Sequence, residues 1–446
     1  MKALSDLSRR VSPIGWLIFI CLWIAAVYIW IVPLVRPRGQ YLWGHYQLRD
    51  IYIGIPLALA TICVTIIIGQ PVKRRRQAAL RLGTFNVTLL VLLFIFDAAY
   101  ALLFLGAWRP NFYLDLGDMP RRYNVPDKDL GFKTIPGVSW RGRKNGEVNE
   151  VIFRTDENGF RNPTGVKQAD IVFIGDSFTE AAEVPEEATF VQQTARFTGL
   201  SVVNLGLGAY GPQQEEIVLE RYGLKYSPRV VVWQIFEGND LGDAQSYLVF
   251  KENPNKVFVS LPGRYLHNSL LNTWLSKTIP PRPEAGMPPA TLRYEDGEAK
   301  RIFLRYPYVP DQPTQKSRGF AETIRSIEAG YRLCESRGIK LVVVFIPSMV
   351  RVMAPRLTFE RELDRQRFIP AGQTQDARDF ASRLEMFCRQ IGCPYIDLFP
   401  LLQQRAALAA RHLYFPTDEH LDVLGHELAA QEISRWIRQP ELAASR

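Results

Sequence analysis

The chain has 446 residues, of which 47% are hydrophobic, and its formal net charge is +9 at pH 7. A chain of this length can form two or three domains. Much of the positive charge lies beside long apolar runs near the N-terminus, where membrane topology explains it. The rest of the chain has no stripe of interleaved basic and aromatic residues, so we expect no nucleic-acid partner.

Three long apolar runs occupy the first part of the chain, at about 13–35, 51–69 and 85–108. Each has about the 20 apolar residues that a helix needs to cross a bilayer. The first run is long for a signal peptide, and two more runs follow it, so we predict an uncleaved anchor. Residues 1–108 are therefore predicted to form three transmembrane helices that hold the chain in a lipid bilayer.

The distribution of basic residues predicts the orientation of these helices. The N-terminal tail and the second connection together carry more basic residues than the first connection does. They are Lys2, Arg9 and Arg10 in the tail, Lys73, Arg74, Arg75, Arg76 and Arg81 in the second connection, and Arg36, Arg38 and Arg49 in the first. The positive-inside rule places the tail and the second connection in the cytoplasm. Three crossings then leave the rest of the chain outside the cytoplasm, which for a bacterial inner membrane means the periplasm.

Asp97 is an acidic residue inside the third apolar run. A carboxyl group at that depth is costly and often has a function in transport or catalysis. The alternative, which we favour, is a structural carboxyl group that is hydrogen-bonded between helices, for example to a tyrosine.

The segment 109–168 is rich in proline, glycine and charged residues, and we predict an extended lead-in that packs against the main sheet. Within it, residues 150–159 have the pattern of a strand that ends in an Asn-Gly turn.

Apolar strands and amphipathic helices alternate over the predicted domain 169–440. The predicted strands are 171–174, 201–204, 230–236, 340–346 and 394–397, and the predicted helices are 189–198, 213–222, 321–337, 378–390 and 424–437. This alternation indicates a parallel sheet that is covered by helices on both faces. A proline-rich insertion, 241–319, interrupts the pattern after the third strand. It forms either a lid or cleft wall, or a loosely ordered loop without catalytic relevance.

Four short polar motifs follow the predicted strands. Gly-Asp-Ser ends at Ser177, directly after the first strand, and Asn-Leu-Gly-Leu-Gly-Ala-Tyr-Gly occupies 204–211 after the second. Glu-Gly-Asn-Asp occupies 237–240 after the third strand, and Thr-Asp-Glu-His occupies 417–420 before the last helix. Each motif alone is ordinary turn or capping chemistry. Together they belong at the carboxyl edge of a parallel sheet, where such sheets bind ligands.

The residue types in these motifs suit acyl transfer. A serine at the start of a helix can serve as a nucleophile, and nearby helix amides favour a negative charge. His420 can act as a base while Asp418 holds its tautomer. Closely spaced glycines allow a backbone N–H to point into a cleft, and the Asn239 amide can donate to the same place. His426, inside the last helix, is interpreted as a packing residue.

On these motifs, residues from about 170 to 436 resemble the SGNH hydrolase superfamily, also called GDSL esterases and lipases. The resemblance implies a flavodoxin-like, five-stranded parallel α/β/α domain with Ser177 as nucleophile, His420 as base and Asp418 as its partner. The pattern Gly-x-Ser-x-Gly of the α/β-hydrolases is not met, because Thr179 occupies the last glycine position.

The resemblance also implies an oxyanion hole formed by the backbone N–H of Ser177, a backbone N–H at Gly208 or Ala209, and the side chain of Asn239. The family has a glycine at the position of Ala209, so either amide remains a candidate. The spacing Asp-x-His is one residue shorter than the usual Asp-x-x-His and is similar to relatives that act in alginate and peptidoglycan O-acetylation. The motif 156–161 also looks like that of membrane-anchored members.

We therefore predict a membrane-anchored extracytoplasmic serine esterase that acts on acetyl or acyl esters, with cell-surface polysaccharide as a candidate substrate. A polysaccharide O-acetyltransferase with the same triad is the first alternative, and a non-catalytic glycan-binding module is the second. No cluster of His, Cys or carboxylate residues has the spacing of a metal site, so we expect no metal and no cofactor. Protein partners stay open.

Overall fold

The architecture is that of a computed structural model of the full chain. It describes residues 11–36, 41–103, 114–115, 124–144, 150–252, 265, 269–279, 287–305, 317–369, 379–408, 413–416 and 419–439. The chain divides into two compact units, of which the first is Met1–Leu105 with Ser260–Gly286 and the second is Gly106–Val259 with Met287–Arg446.

The first unit is built on long apolar helices. They are α1 (Pro13–Trp30), the short α2 (Val32–Val35), α3 (Leu48–Gly69) and α4 (Val72–Leu103). The stretches Pro13–Val35, Leu48–Gly69 and Val72–Leu103 are each long and apolar enough to cross a membrane. Large apolar side chains such as Ile24, Phe94 and Phe96 are more than half exposed on these helices. Such a surface suits lipid better than water.

The start of the third long helix differs from the prediction. The basic residues at 73–76 and Arg81 were expected in a connection before an apolar run at 85–108, whereas the structure places them inside α4, which begins at Val72. Arginine, glutamine, alanine and leucine favour helix, and Pro71 stands just before the first turn, where proline is tolerated. The positive charges still gather at one end of α4.

A segment from the predicted insertion completes the first unit. The insertion helix, Leu270–Thr278, is capped by Ser269, whose side chain accepts a hydrogen bond from the Asn272 N–H. Asp97 of α4 accepts hydrogen bonds from the hydroxyl groups of Tyr52 in α3 (2.6 Å) and Tyr265 (2.8 Å). The predicted hydrogen bond between this carboxyl group and a tyrosine is confirmed.

The second unit contains strands and helices in alternation. Its strands are β1 (Leu114–Asp115), β2 (Asn124–Asp127), β3 (Gly131–Thr134), β4 (Ser139–Lys144), β5 (Glu150–Arg154), β6 (Ile171–Ile174), β7 (Val202–Asn204), β8 (Val230–Phe236), β9 (Pro289–Arg293), β10 (Ala299–Phe303), β11 (Lys340–Ile346), β12 (Leu357–Phe359) and β13 (Tyr395–Asp397). Its helices are α5 (Ser177–Glu180), α6 (Phe190–Thr198), α7 (Pro212–Arg221), α8 (Asp240–Glu252), α9 (Arg318–Glu335), α10 (Met349–Met353), α11 (Glu362–Phe368), α12 (Asp379–Ile391), α13 (Phe399–Leu408) and α14 (Val423–Ile437).

Five of these strands form one sheet in the order β7-β6-β8-β11-β13, and all neighbours are parallel. Counted along the chain, that order is 2-1-3-4-5, the flavodoxin-like arrangement. The predicted fold class is confirmed. The order reverses between β6 and β8, and the crevice beyond their carboxyl ends is the place where such sheets bind ligands.

The sheet is buried on both faces because apolar residues occupy most positions of its strands. All seven residues of β8 are buried. On β11, Val342, Val344 and Ile346 join the core with α6 and α14, whereas Leu341, Val343 and Phe345 join the core with α7, α9 and α12. The period of two along the strand therefore divides the core into two layers, as a doubly covered parallel sheet requires.

Three smaller sheets accompany the main one in the described part of the chain, and one of them is the two-stranded sheet β2-β3. In the lead-in, β1-β4-β5 form an antiparallel sheet, and the predicted turn after β5 is closed by the hydrogen bond from the Gly159 N–H to the Asp156 carbonyl. In the insertion, β9 pairs with both β10 and β12, and Ala290, Leu292 and Ile302 are buried in the core. The described parts of the insertion are thus ordered, and a loosely ordered loop is the wrong interpretation for them.

Candidate active site

Ser177 lies at the end of β6, at the point where the strand order reverses. The Asp176 carboxylate accepts a hydrogen bond from the Phe178 N–H (2.9 Å) and so caps α5, whose first residue is Ser177. A side chain at Gly175 would collide with Gln234 and Thr179, because an added Cβ would lie 2.4 Å from each. Glycine is therefore required for the tight step from strand to helix that exposes the serine hydroxyl.

His420 reaches Ser177 from the opposite end of the domain sequence. The distance between His420 Nε2 and Ser177 Oγ is 2.9 Å. Around the histidine, the Phe415 N–H donates to the His420 carbonyl (2.7 Å), and Glu419 has a left-handed backbone with φ of 66°. The imidazole packs beside the Phe178 ring, with 4.9 Å between ring centres. A serine and a base in hydrogen-bond contact are the first requirement for nucleophilic catalysis.

The insertion fixes the segment that carries His420. The Phe303 N–H at the end of β10 donates to the Pro416 carbonyl (2.8 Å), and the Arg305 N–H donates to the Glu419 carboxylate (2.6 Å). Glu419 is completely buried. Part of the insertion therefore acts as a wall that holds the histidine loop.

Glu183 is the functional candidate that the sequence analysis did not identify. Its Oε1 lies 3.6 Å from His420 Nδ1, on the ring side opposite Ser177, and its side chain is 3% exposed. Asp418, the predicted partner of His420, lies outside the described residues. Glu183 follows the nucleophile by six residues in the run Ala-Ala-Glu-Val, where a lone acidic residue among apolar ones was the available signal.

The lead-in holds the loop that carries Glu183. The buried Arg161 guanidinium donates to the backbone carbonyls of Glu180 (3.2 Å), Ala181 and Val184 (2.8 Å). Its guanidinium also lies over the Phe153 ring at 5.0 Å. The predicted lead-in motif thus contributes to the site by fixing backbone on both sides of Glu183.

The glycine-rich motif lies against the nucleophile. A Cβ added to Gly208 would be 3.5 Å from Ser177 Cβ. The Gly208 N–H donates to the Glu180 carboxylate (3.0 Å), so this amide already has an acceptor. Ala209 follows with φ of 65°, in a turn closed by the bond from the Tyr210 N–H to the Leu207 carbonyl. The Ala209 N–H makes no hydrogen bond to another described residue.

Asn239 stands at the carboxyl end of β8, as the sequence predicted. Its Nδ2 donates to Asp243 Oδ2 (2.6 Å), which fixes the plane of the amide and leaves a second N–H on the same nitrogen. Its proximity to Asp176 also helps to stabilise that carboxylate.

His426, by contrast, is buried in α14 and accepts a hydrogen bond from the Phe190 N–H (3.2 Å). Burial lowers the pKa of His426 to about 3, so it packs as a neutral ring.

Buried carboxyl groups surround Asp176. Burial raises the pKa of Asp176, and burial together with the charge of Asp176 raises the pKa of Asp240 well above its usual value. Burial also raises the pKa of Glu215, and that of Asp243 rises to about 7. These groups hold protons at higher pH than usual, which reduces negative charge beneath the serine. Among the described residues, no group of three or more His, Cys, Asp and Glu side chains is placed to hold a metal ion.

The sheet order, the serine after β6 and the histidine before α14 define a flavodoxin-like α/β domain with a serine–histidine pair at its ligand-binding edge. In agreement, residues 302–446 match the family model of the SGNH hydrolase-like domain of the acetyltransferase AlgX. The match covers the C-terminal part of the second unit, and three long apolar helices precede it in the chain. The matched residues include His420, whereas Ser177 precedes them.

Solved structures of esterases are similar to part of the chain at low sequence identity. A GDSL-like lipase from Bacteroides thetaiotaomicron is 12% identical, covering 60% of this chain and 86% of its own, with a TM-score of 0.31. A catalytic mutant of the acetylxylan esterase Axe2 from Geobacillus stearothermophilus is 12% identical, covering 60% and 94%, with a TM-score of 0.33. The acetyl xylan esterase AlAXEase is 13% identical, covering 60% and 98%, with a TM-score of 0.32. No curated protein matches the sequence.

Proposed function

We propose that the protein is a membrane-anchored serine esterase that acts outside the cytoplasm on acetyl or acyl esters of a glycan. The observation that carries the proposal is the 2.9 Å contact between His420 Nε2 and Ser177 Oγ at the reversal point of the sheet. The positive-inside pattern supports the orientation, and a family model that contains an acetyltransferase supports the acyl chemistry.

The reaction proceeds through an acyl-enzyme. His420 Nε2 takes the proton from Ser177 Oγ as the oxygen bonds to the ester carbonyl carbon. His420 then gives that proton to the leaving alcohol, whose C–O bond breaks. Water next passes a proton to His420 and attacks the acyl carbon, and the carboxylic acid leaves as Ser177 Oγ regains its proton.

Two carboxylates are candidates for the partner of the charged imidazole. Asp418 is the residue that the motif predicts, and Glu183 is the residue whose carboxylate lies 3.6 Å from Nδ1. We propose that Glu183 stabilises the imidazolium electrostatically, because a buried carboxylate at that distance favours the charged ring.

Three donors are proposed for the oxyanion. They are the Ser177 N–H, the Ala209 N–H and the N–H of the Asn239 amide that does not donate to Asp243. Ala209 is preferred over Gly208 because the Glu180 carboxylate accepts the Gly208 N–H.

Removal of one such donor typically lowers turnover by about 100- to 1,000-fold, so we expect that loss for Asn239→Ala in acetate-release assays with an aryl acetate. Ser177→Ala should lose far more, and wild-type rates in both variants would disprove the assignment.

An O-acetyltransferase is the second candidate, favoured by the match to the AlgX domain. In that case a sugar hydroxyl replaces water and passes its proton to His420. Acetate release by the full chain in detergent, with and without a glycan acceptor, separates the two. A hydrolase releases acetate in either condition, whereas a transferase moves the acetyl group to the acceptor.

Failure of a fluorophosphonate to label Ser177 in folded protein would favour the non-catalytic binding module. A C-terminal tag that is protected from external protease in spheroplasts would disprove the orientation.

A further inference from the structure

A cavity of about 570 Å³ lies in the first unit, between α3, α4 and the insertion helix. This volume is within the range of about 300–1,000 Å³ that small-molecule sites occupy. The lining is Tyr52, Ile55 and Pro56 of α3, Leu90, Leu93, Phe94, Phe96 and Asp97 of α4, and Leu270, Leu271 and Trp274 of the insertion helix. Most of these residues recur at the three- and four-residue spacing of a single helix face. Tyr52, Asp97 and Trp274 are the lining residues that have a polar side-chain group, and the other lining side chains are apolar.

One end of the cavity is polar, because the carboxyl group of Asp97 lines it. Asp97 is 8% exposed. Its Oδ2 accepts from Tyr52 and Tyr265, and its Oδ1 accepts from the Leu271 N–H (3.0 Å). All three donors are neutral. An ionised carboxylate offers about four acceptor positions, of which the donors among the described residues occupy three. A cation that also donates an N–H would complement both the charge and the remaining acceptor position.

The polar end lies near the outer ends of the two helices. Tyr52 is about 6 Å from the start of α3 at Leu48, and Asp97 is about 9 Å before Leu103, the last described residue of α4, at 1.5 Å per residue. Only Gln70 and Pro71 separate α3 from α4, so these two ends face the same side of a bilayer. Leu90 lies about 10 Å deeper on α4. The site therefore has a polar end at head-group depth and an apolar part at acyl-chain depth.

We propose that this cavity binds one acyl chain of a phospholipid whose head group carries a primary ammonium, with the ammonium at Asp97. The apolar walls take the chain, because hydrocarbon is the solvent at that depth. The carboxylate attracts the ammonium and repels the phosphate of a lipid that has no positive group. A quaternary ammonium has the charge but no N–H to donate. This inference needs the membrane anchor but not the proposed esterase activity.

The test is lipid retention by the full chain, purified in detergent and examined by native mass spectrometry. The delipidated protein is titrated with phosphatidylethanolamine, phosphatidylcholine or phosphatidylglycerol of the same acyl chains. We expect phosphatidylethanolamine to bind at least about tenfold more tightly than the other two, because a charge-assisted hydrogen bond forms with that lipid only. Equal binding of all three lipids would overturn the proposal and indicate an unselective lipid shell. Protein that stays soluble without detergent would instead refute the membrane anchor.

Two variants on one helix locate the site. Leu93→Trp fills the cavity and should lower phosphatidylethanolamine binding by at least about tenfold. Leu92→Trp adds the same side chain one residue away, outside the cavity lining, at a position with similar exposure of 48% against 51%. It should bind as the wild type does, and equal effects of the two variants would contradict the assignment.

Two further variants test the role of the charge. Asp97→Asn keeps the shape of the side chain and removes its charge, so the preference for phosphatidylethanolamine over phosphatidylcholine should disappear. Tyr265→Phe removes one neutral donor and keeps the charge, so the preference should persist. A monodisperse gel-filtration profile controls for folding of each variant. If Asp97→Asn does not fold, the comparison of Leu93→Trp with Leu92→Trp still decides the proposal.

Discussion

Glu183 is the residue whose position says most about the chemistry of the site. It lies six residues beyond Ser177 on a loop that Arg161 fixes through three backbone carbonyls. The Glu183 carboxylate lies 3.6 Å from His420 Nδ1, and Ser177 Oγ lies 2.9 Å from Nε2, so the imidazole lies between a carboxylate and a hydroxyl group. Both carboxylate and imidazole are buried, where an ionic interaction is stronger than in water.

The first prediction concerns the charge of this carboxylate. Glu183→Gln keeps the size of the side chain but removes its charge, and we expect kcat to fall about 10- to 100-fold because the imidazolium loses a nearby anion. The acid limb of the pH–rate profile should move to lower pH, because the protonated ring becomes less stable. Glu187→Gln on the same loop is the exposed control and should behave as the wild type. An unchanged profile for Glu183→Gln, together with a large loss for Asp418→Asn, would assign the role to Asp418 alone.

The second prediction concerns the left-handed backbone at Ala209. An L-residue with a Cβ costs roughly 1–2 kcal/mol in this conformation, whereas glycine adopts it freely but costs about 0.5–1 kcal/mol more in chain entropy. Ala209→Gly should therefore raise stability by up to about 1 kcal/mol and keep kcat within about twofold, because the backbone N–H is retained. Ala209→Val should be clearly less stable than wild type, since β-branched residues avoid positive φ. The thermal midpoint and the esterase rate of both variants are measured. A glycine variant less stable than the wild type would contradict backbone strain at Ala209.

At the scale of single residues, the sequence motifs predicted that Ser177, His420 and Asn239 lie at one edge of the sheet. Their spacing from strand ends carries the information, because a parallel sheet gathers the loops after its strands. Glu183 was not predicted, because no local sequence pattern connects it with His420, which lies 237 residues later. The choice between Gly208 and Ala209 also needed coordinates, since it depends on the Glu180 carboxylate that accepts the Gly208 N–H.

Among the elements, the parallel strands were the easiest to predict. Each is a short apolar run bounded by turn residues, and burial on both faces removes the ambiguity of register. The insertion was the hardest, because its proline content suggested irregular structure. Helix α8 begins directly at Asp240 of the predicted motif, and β9 and β10 are stabilised by contact with β12 and the core, which is a tertiary effect that composition does not reveal.

The third prediction concerns a buried ion pair that joins two elements. Glu237 at the end of β8 accepts from Arg351 Nη1 in α10 (2.9 Å) and from the Ser348 N–H (2.8 Å), and the guanidinium lies 4.2 Å from the Phe399 ring centre. Arg351→Met leaves a buried carboxylate without its cation and should cost about 3–5 kcal/mol of unfolding free energy. Adding Glu237→Gln removes the stranded charge and should recover part of that loss, as measured by denaturant unfolding. A double variant no more stable than Arg351→Met would argue against the ion pair as the cause.

At the scale of the whole molecule, the buried carboxyl groups around Asp176 predict how stability depends on pH. The native state raises the pKa of Asp243 to about 7, mainly through burial and then through the charge of Asp176. The unfolded chain releases the same proton near pH 3.9. The stability from this group is therefore complete below about pH 4 and is lost as the pH rises through about 7.

The fourth prediction follows from that sign. Asp243→Asn removes the titration, so its thermal midpoint should decline less than that of the wild type between pH 5 and pH 8, because only the wild type must lose a buried proton. Asp296→Asn, at an exposed position, is the control and should follow the wild type. Parallel curves for Asp243→Asn and the wild type would show that the carboxyl group titrates normally in the native state.

The first unit is assembled from two separate parts of the sequence, because Ser260–Gly286 joins the N-terminal helices. Ribosomes finish the three long helices well before they reach this return segment, so the membrane unit stays incomplete through much of synthesis. A shortened protein that begins after α4 would retain the insertion helix but lose Tyr52 and Asp97. It would then expose apolar residues that the full chain shelters, and it would tend to aggregate. A soluble version for crystallisation should therefore replace 260–286 by a short polar linker as well as omit the anchor.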